Sequence, residues 1–78
     1  MKTNRPIWEI ANEIVRSWRK PYFGAAPYIQ AMKSLDQITD HYGMDTADSI
    51  IIYFLGNART WRGEDARRIK KELNDLIK

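Results

Sequence analysis

The single histidine is the first residue to consider as a catalytic group. His41 lies between Asp40 and Tyr42 in the sequence, but adjacent residues of a helix point about 100° apart, so neither neighbour shares its face. A general acid or base needs an oriented partner within hydrogen-bond reach, and the residue one helical turn before His41 is Gln37. We therefore expect His41 to be a surface residue near a helix C-terminus, where positive charge is favourable.

Metal and nucleotide chemistry have no signature in the sequence. The chain contains no cysteine, which excludes thiolate metal sites and disulfides and favours a reducing compartment such as the cytoplasm. No His, Asp and Glu residues have the spacing of a zinc or calcium site, and no P-loop, GxSxG or GxGxxG motif occurs. The sequence thus predicts a protein that is not an enzyme and needs no metal or cofactor.

Basic side chains concentrate at the two ends of the chain. Residues 1–20 and 59–78 each carry a net charge of +3, whereas residues 21–58 carry −3. A turn at Gly63 followed by a helix exposing Arg67 and Lys71 would suit a nucleic-acid surface. The same segment contains the i,i+4 pairs Glu64–Arg68, Arg68–Glu72 and Lys71–Asp75. Such pairing is typical of an ordinary solvated helix, so Arg59 and Arg62 are better candidates for contact with a partner.

A helix-turn-helix can also be placed on the sequence, at residues 38–54 around Gly43. Its second helix would read ADSIIIYF, which is core chemistry and does not suit contact with base edges. We reject that placement. A similar unit around Gly63 has a polar second helix and stays open as the weaker alternative.

Nine aromatic residues, three of them tryptophans, are the remaining candidates for a functional surface. Core packing is the commoner role, because tryptophans bury most of their area. The alternative role is an interface anchor, since Trp, Tyr and Arg are over-represented among binding hot spots. The candidate partner-binding residues are therefore Trp8, Tyr22, Arg59, Trp61, Arg62, Arg67 and Lys71.

The spacing of apolar residues predicts the helices that must position these side chains. The predicted helices span residues 5–19, 26–42, 46–58 and 64–77. Asn4 and Asp45 are predicted N-caps, and Gly43 is a predicted C-terminal cap of the second helix. In the loop at residues 20–27, we expect Tyr22 and Phe23 to fold back onto the core.

The apolar run at residues 50–55 decides the predicted architecture. A strand there would need a partner strand for its backbone groups, and the rest of the sequence suggests none. We therefore predict an all-α, compact four-helix domain over residues 1–78, with the third helix buried at its centre. Six residues are too few to span a bilayer, which needs about 20, so no membrane partner is expected.

Three stretches of sequence resemble a known group of proteins. They are IWEIA at 7–11, KPYFGAAPY at 20–28, and YFLGNARTWRG at 53–63 with ARRIK at 66–70. They resemble short hypothetical proteins encoded by phages and integrated elements of Gram-positive bacteria, over nearly the whole chain. The resemblance implies a small accessory protein acting inside a bacterial host cell, and it transfers no site residue.

Together these observations favour a non-catalytic protein that binds a macromolecule. A host or phage protein is the favoured partner. Nucleic acid bound by the basic fourth helix is the alternative. The predicted third helix carries more apolar residues than one buried face needs, so a homodimer that covers them is a further candidate.

Overall fold

The computed structural model describes residues 5–78. Within them the chain forms four α-helices, one short 3₁₀ helix and one two-stranded antiparallel hairpin. Their bounds are α1 Ile7–Ser17, the 3₁₀ helix Phe23–Ala25, α2 Ala26–Met32, β1 His41–Tyr42, β2 Asp45–Thr46, α3 Ala47–Gly56 and α4 Glu64–Leu76. The four-helix prediction is confirmed, but the purely all-α prediction is not, because of the hairpin.

Helix α1 buries the stripe that its sequence predicts, with Ile7, Ile10 and Ile14 fully enclosed. Its first turn is not capped by a side chain. The backbone N–H groups of Ile7 and Trp8 instead donate to the carbonyls of Asp36 and Leu35, at 2.9 and 2.8 Å. A distant segment thus satisfies donors that every helix start leaves free. The predicted cap Asn4 lies outside the described residues.

Helix α2 ends at Met32, so the prediction that it continues to residue 42 is wrong. The Asp40 carboxylate accepts the backbone N–H groups of Asp36 and Gln37, at 2.9 and 3.0 Å. Side-chain bonds of this kind compete with helical ones. Leu35 is nevertheless buried. Its side chain therefore enters the core from the loop after α2 and not from a longer helix.

The segment after that loop is a hairpin that the sequence analysis missed. His41 pairs with Thr46 and Tyr42 with Asp45. Gly43 has a φ of +62° at the first turn position, where type II′ hairpins require glycine. It is therefore a hairpin residue and not a helix cap, and Tyr42 is exposed rather than buried.

Thr46, not Asp45, caps helix α3. The Thr46 hydroxyl accepts the backbone N–H of Ser49 at 3.4 Å, while Asp45 belongs to the hairpin. Asp48 also accepts this N–H, at 3.0 Å. The start of α3 is thus held by two side-chain acceptors, as an N-terminus prefers.

Helix α3 is only partly enclosed, so its predicted central burial is not confirmed. Ile51 and Phe54 are completely buried, whereas Ile52 and Tyr53 are 53% and 56% exposed. Tyr28 of α2 stacks on Tyr53 with ring centroids 5.7 Å apart. The apolar hexapeptide therefore has one face in the core and one face at the surface.

An aromatic cluster closes the core beside the segment between α3 and α4. Trp61 stacks on Trp18 with centroids 5.5 Å apart and planes inclined by 10°. Phe54 meets both rings edge-on, each at 6.3 Å. Aromatic pairs in these geometries add stability beyond that of the buried area alone, so the cluster fixes the path of the chain into α4.

Helices α1 and α4 are joined by an ion-pair network that local spacing did not predict. Arg5 donates to Glu13 at 2.6 Å and to Glu72 at 2.8 and 2.9 Å, and Arg68 also donates to Glu13. Arg5 also lies 3.8 Å from Glu9, one helical turn along the chain. The packing of α4 on α1 brings Arg68 to Glu13, although the two residues are 55 positions apart in the sequence.

We predict that Glu13→Gln lowers the free energy of unfolding at pH 7 by about 1 kcal/mol, as expected for a partly buried charge network. Hydrogen bonds from Arg68 and then from Arg5 hold the pKa of Glu13 below its ordinary value of 4.5. This contribution is therefore present above pH 4.5 and is lost as the pH falls through the lower, folded-state pKa.

Urea unfolding of both proteins at pH 7 and at stepwise lower pH measures this difference. Glu9→Gln is the matched control, because Glu9 is more exposed than Glu13 and its ion pair within the described residues is the longer one with Arg5. We expect its effect to stay within about 0.5 kcal/mol. Equal effects of the two substitutions, or a difference that does not shrink in acid, would contradict the network's role.

Candidate partner-binding surface

Four basic side chains line one open groove at the start of α4. The groove has a volume of about 350 Å³, and its lining is Arg59, Trp61, Arg62, Gly63, Ala66, Arg67 and Lys70. No carboxylate belongs to that lining. We call it the cationic groove. Low-dielectric walls and charges of one sign focus the electrostatic field, so this groove is suited to an anionic group.

The cations of residues 59–78 divide into two sets. Arg68, Lys71 and Lys78 form ion pairs with acidic side chains of the chain itself. Within the described residues, Arg59, Arg62, Arg67 and Lys70 form none. The basic residues that the fold leaves uncompensated are therefore the ones it brings together in the cationic groove.

Lys70 is the fixed member of the groove. Its Nζ donates to the carbonyl of Trp61 at 2.7 Å and lies 5.9 Å from the centre of the Trp61 ring. Burial, and secondarily the charge of Arg62, lowers the pKa of Lys70. Two like charges thus share a partly buried space, which a bound anion would stabilise.

A second groove adjoins the first through Arg59. It has a volume of about 290 Å³ and is lined by Tyr22, Gly56, Asn57, Arg59 and Thr60. The Tyr22 ring contacts Phe23 at a centroid distance of 4.8 Å. These two rings are 46% and 80% exposed, so the prediction that they fold onto the core is wrong. We call this region, with Phe23, the aromatic groove.

Gly24 positions the aromatic groove. A Cβ atom at this residue would lie 2.6 Å from Tyr22 Cε2 and 2.7 Å from Asn57 Oδ1. Asn57 is itself held, because its Nδ2 donates to the carbonyl of Tyr53 at 2.9 Å. The loop before α2 is therefore packed tightly against the C-terminus of α3, and only a glycine permits this approach.

The candidate residues from the sequence are only partly brought together. Arg59, Arg62 and Arg67 share the cationic groove, and Tyr22 joins them through Arg59. Lys71 is exposed and paired with Asp75, and lines neither groove. Trp8 is half-exposed on α1 and also lines neither.

Trp61 is corrected from a surface anchor to a core residue. It is 3% exposed, so its ring supports the cationic groove from beneath and cannot insert into a partner. Phe23 and Lys70 are the aromatic and the basic residue of this surface that the candidate set omitted. The only sequence signal for Phe23 is its position in a loop, where an aromatic side chain has little core to enter.

A third groove contains His41, the residue first considered above as a catalytic group. It is lined in part by Asp40, His41, Thr46 and Asp48. The acceptors of Asp40 bind backbone N–H groups of Asp36 and Gln37, and those of Asp48 bind Thr46 and Ser49. These bonds lower the pKa of both carboxyls. Within residues 5–78, no hydrogen bond joins either carboxylate to His41, so the oriented acid–base pair that catalysis needs is not formed.

Neither a metal-binding cluster nor a membrane-spanning helix occurs in the described part of the chain. No group of three or more His, Asp or Glu side chains is arranged to hold a metal ion there. Over the same residues, no helix combines the length and the apolarity needed to cross a membrane. We call the cationic groove and the aromatic groove together the junction surface.

We predict that Gly24→Ala displaces the Tyr22 ring and the Asn57 amide, and lowers the free energy of unfolding by about 1 kcal/mol through overpacking. The ring signals of Tyr22 and the side-chain amide signals of Asn57, followed by NMR, report the displacement. Urea unfolding reports the stability.

Gly56→Ala is the control for this prediction. A Cβ atom at Gly56 meets nothing within 4 Å, and alanine is favoured over glycine in a helix by roughly 0.5–1 kcal/mol. We therefore expect unchanged or slightly higher stability. Unperturbed Tyr22 and Asn57 signals in Gly24→Ala would refute the close packing.

Comparison with known proteins gives no relative for this chain. No protein-family model, no curated protein and no solved structure matches it. Function is therefore inferred from the surface chemistry of the chain itself.

Proposed function

We propose that this chain is a non-catalytic binding protein whose junction surface contacts another protein. Phe23 and Tyr22 supply large apolar contact area, and Arg59 lies between them and the remaining cations. Aromatic and arginine side chains are the types most often found among binding hot spots. The proposed partner is a host or phage protein in the cytoplasm of a bacterial cell, in keeping with the resemblance to phage and integrated-element proteins.

The exposure of Phe23 is the observation that carries this proposal. A phenylalanine that is 80% exposed forgoes most of the stabilisation that burying its ring would give, about 1.5–3 kcal/mol. Its neighbour Tyr22 lies against Gly24 and contacts the Phe23 ring, with centroids 4.8 Å apart, so the two rings form one exposed aromatic patch. Exposed aromatic side chains are enriched among binding hot spots, which favours a recognition role for the pair.

The distribution of charge favours a protein over nucleic acid. Along α4, Arg68 and Lys71 are engaged with acidic side chains, so the helix does not present an uncompensated basic stripe. A protein that follows a phosphate backbone needs several such contacts along its length. Nucleic-acid binding by α4 is therefore the weaker alternative.

We predict that Phe23→Ser with Arg59→Ser abolishes capture of the partner while the domain stays folded. The tagged chain is immobilised on a resin and incubated with nuclease-treated lysate of a Gram-positive host. It should retain a protein that the double variant does not retain. Both side chains are exposed, so we expect the free energy of unfolding to change by about 0.5 kcal/mol or less.

Val15→Ser with Arg16→Ser is the matched control. It removes an exposed apolar and a neighbouring exposed basic side chain on α1, away from both grooves, and should leave capture intact. Two results would refute the proposal. One is an equal loss of capture in both double variants. The other is capture of nucleic acid alone at about 50 mM salt from untreated lysate, with nothing captured after nuclease treatment.

A further inference from the structure

We propose that the partner presents a short acidic segment to the junction surface, with its carboxylates in the cationic groove and an apolar side chain against Tyr22 and Phe23. This inference rests on the proposed function and adds the chemistry of what is bound. Arg59 lines both grooves, so a single extended segment can occupy them in sequence.

The sign of the bound charge follows from the lining of the cationic groove. Arg59, Arg62, Arg67 and Lys70 line it without any carboxylate. The chain carries acidic side chains on α4 and α1, but those that form ion pairs are engaged with Arg5, Arg68, Lys71 and Lys78. The carboxylates of a partner would therefore complement the positive charges of the cationic groove, which has no carboxylate of its own.

The length of the acidic segment is limited by the residues that follow the groove. Glu64 and Asp65 come directly after Gly63 and are exposed in the first turn of α4. A long polyanion continuing along the helix would meet these carboxylates, and like charges in contact oppose binding. A segment with a few carboxylates ending at the groove avoids them.

The cationic groove is also held in shape before a partner arrives. Lys70 is fixed by its bond to the Trp61 carbonyl, and Trp61 is fixed by stacking on Trp18. Packing in the core therefore sets the positions of Lys70 and Trp61 in the cationic groove. Guanidinium groups bind carboxylates in a bidentate geometry, so the free arginines suit carboxylates in particular.

A peptide titration tests the inference. The probe is a fluorescent twelve-residue peptide with four consecutive acidic residues followed by leucine and phenylalanine. Two further probes are used for comparison. One is the same peptide with glutamine and asparagine in place of the acidic residues, and the other is a single-stranded oligonucleotide of twelve thymidines. Fluorescence anisotropy at 50 mM and 300 mM salt gives the affinity of each.

We expect the acidic peptide to bind at least tenfold more tightly than the amide peptide, and to weaken as salt screens the charges. Arg62→Glu should weaken binding of the acidic peptide at least tenfold relative to the unsubstituted chain. Arg16→Glu, the same charge reversal on the exposed face of α1, should change it less than threefold. That pattern, with weaker binding of the oligonucleotide, supports the acidic segment.

Three outcomes would overturn the inference. They are equal affinity for the acidic and amide peptides, equal losses in Arg62→Glu and Arg16→Glu, and tighter binding of the oligonucleotide than of the acidic peptide. Applying Arg62→Glu to lysate capture separates the two proposals. A partner that Arg62→Glu still captures, and that the Phe23 and Arg59 double variant loses, leaves the proposed function standing and removes the acidic segment.

Discussion

The stacking of Trp61 on Trp18 is the contact on which the rest of the surface depends. Trp61 belongs to the segment between α3 and α4, and its burial, together with the edge-on contacts of Phe54, anchors that segment to the core. Because the ring points inward, the basic residues on either side of it, Arg59 and Arg62, are left exposed. A core interaction thus determines which charges reach solvent.

The fold also distinguishes structural charges from free ones. Arg5 and Arg68 hold α1 against α4 through Glu13 and Glu72, and these charges satisfy one another. The arginines at the junction take no part in that network. The same residue type therefore performs two roles, and only packing between helices distant in sequence decides which arginine has which role.

The sequence predicted the elements with strong local signals and missed those that depend on distant contacts. The stripe of α1 and the polar helix α4 were found because their apolar residues recur at helical spacing. The extent of α2 was wrong, since Asp40 binds the backbone at Asp36 and Gln37 and no spacing rule shows this. For the surface, Arg59, Arg62 and Arg67 were identified, whereas the burial of Trp61 and the exposure of Phe23 depend on tertiary packing.

The most direct test of a partner-binding junction surface is a map of backbone amide shifts in the isotope-labelled chain when its captured partner is added. The account predicts that the largest shifts fall at residues 22–25 and 57–63 and in the first two turns of α4. Shifts concentrated instead on the hairpin at 41–46, or on the exposed face of α1, would contradict it.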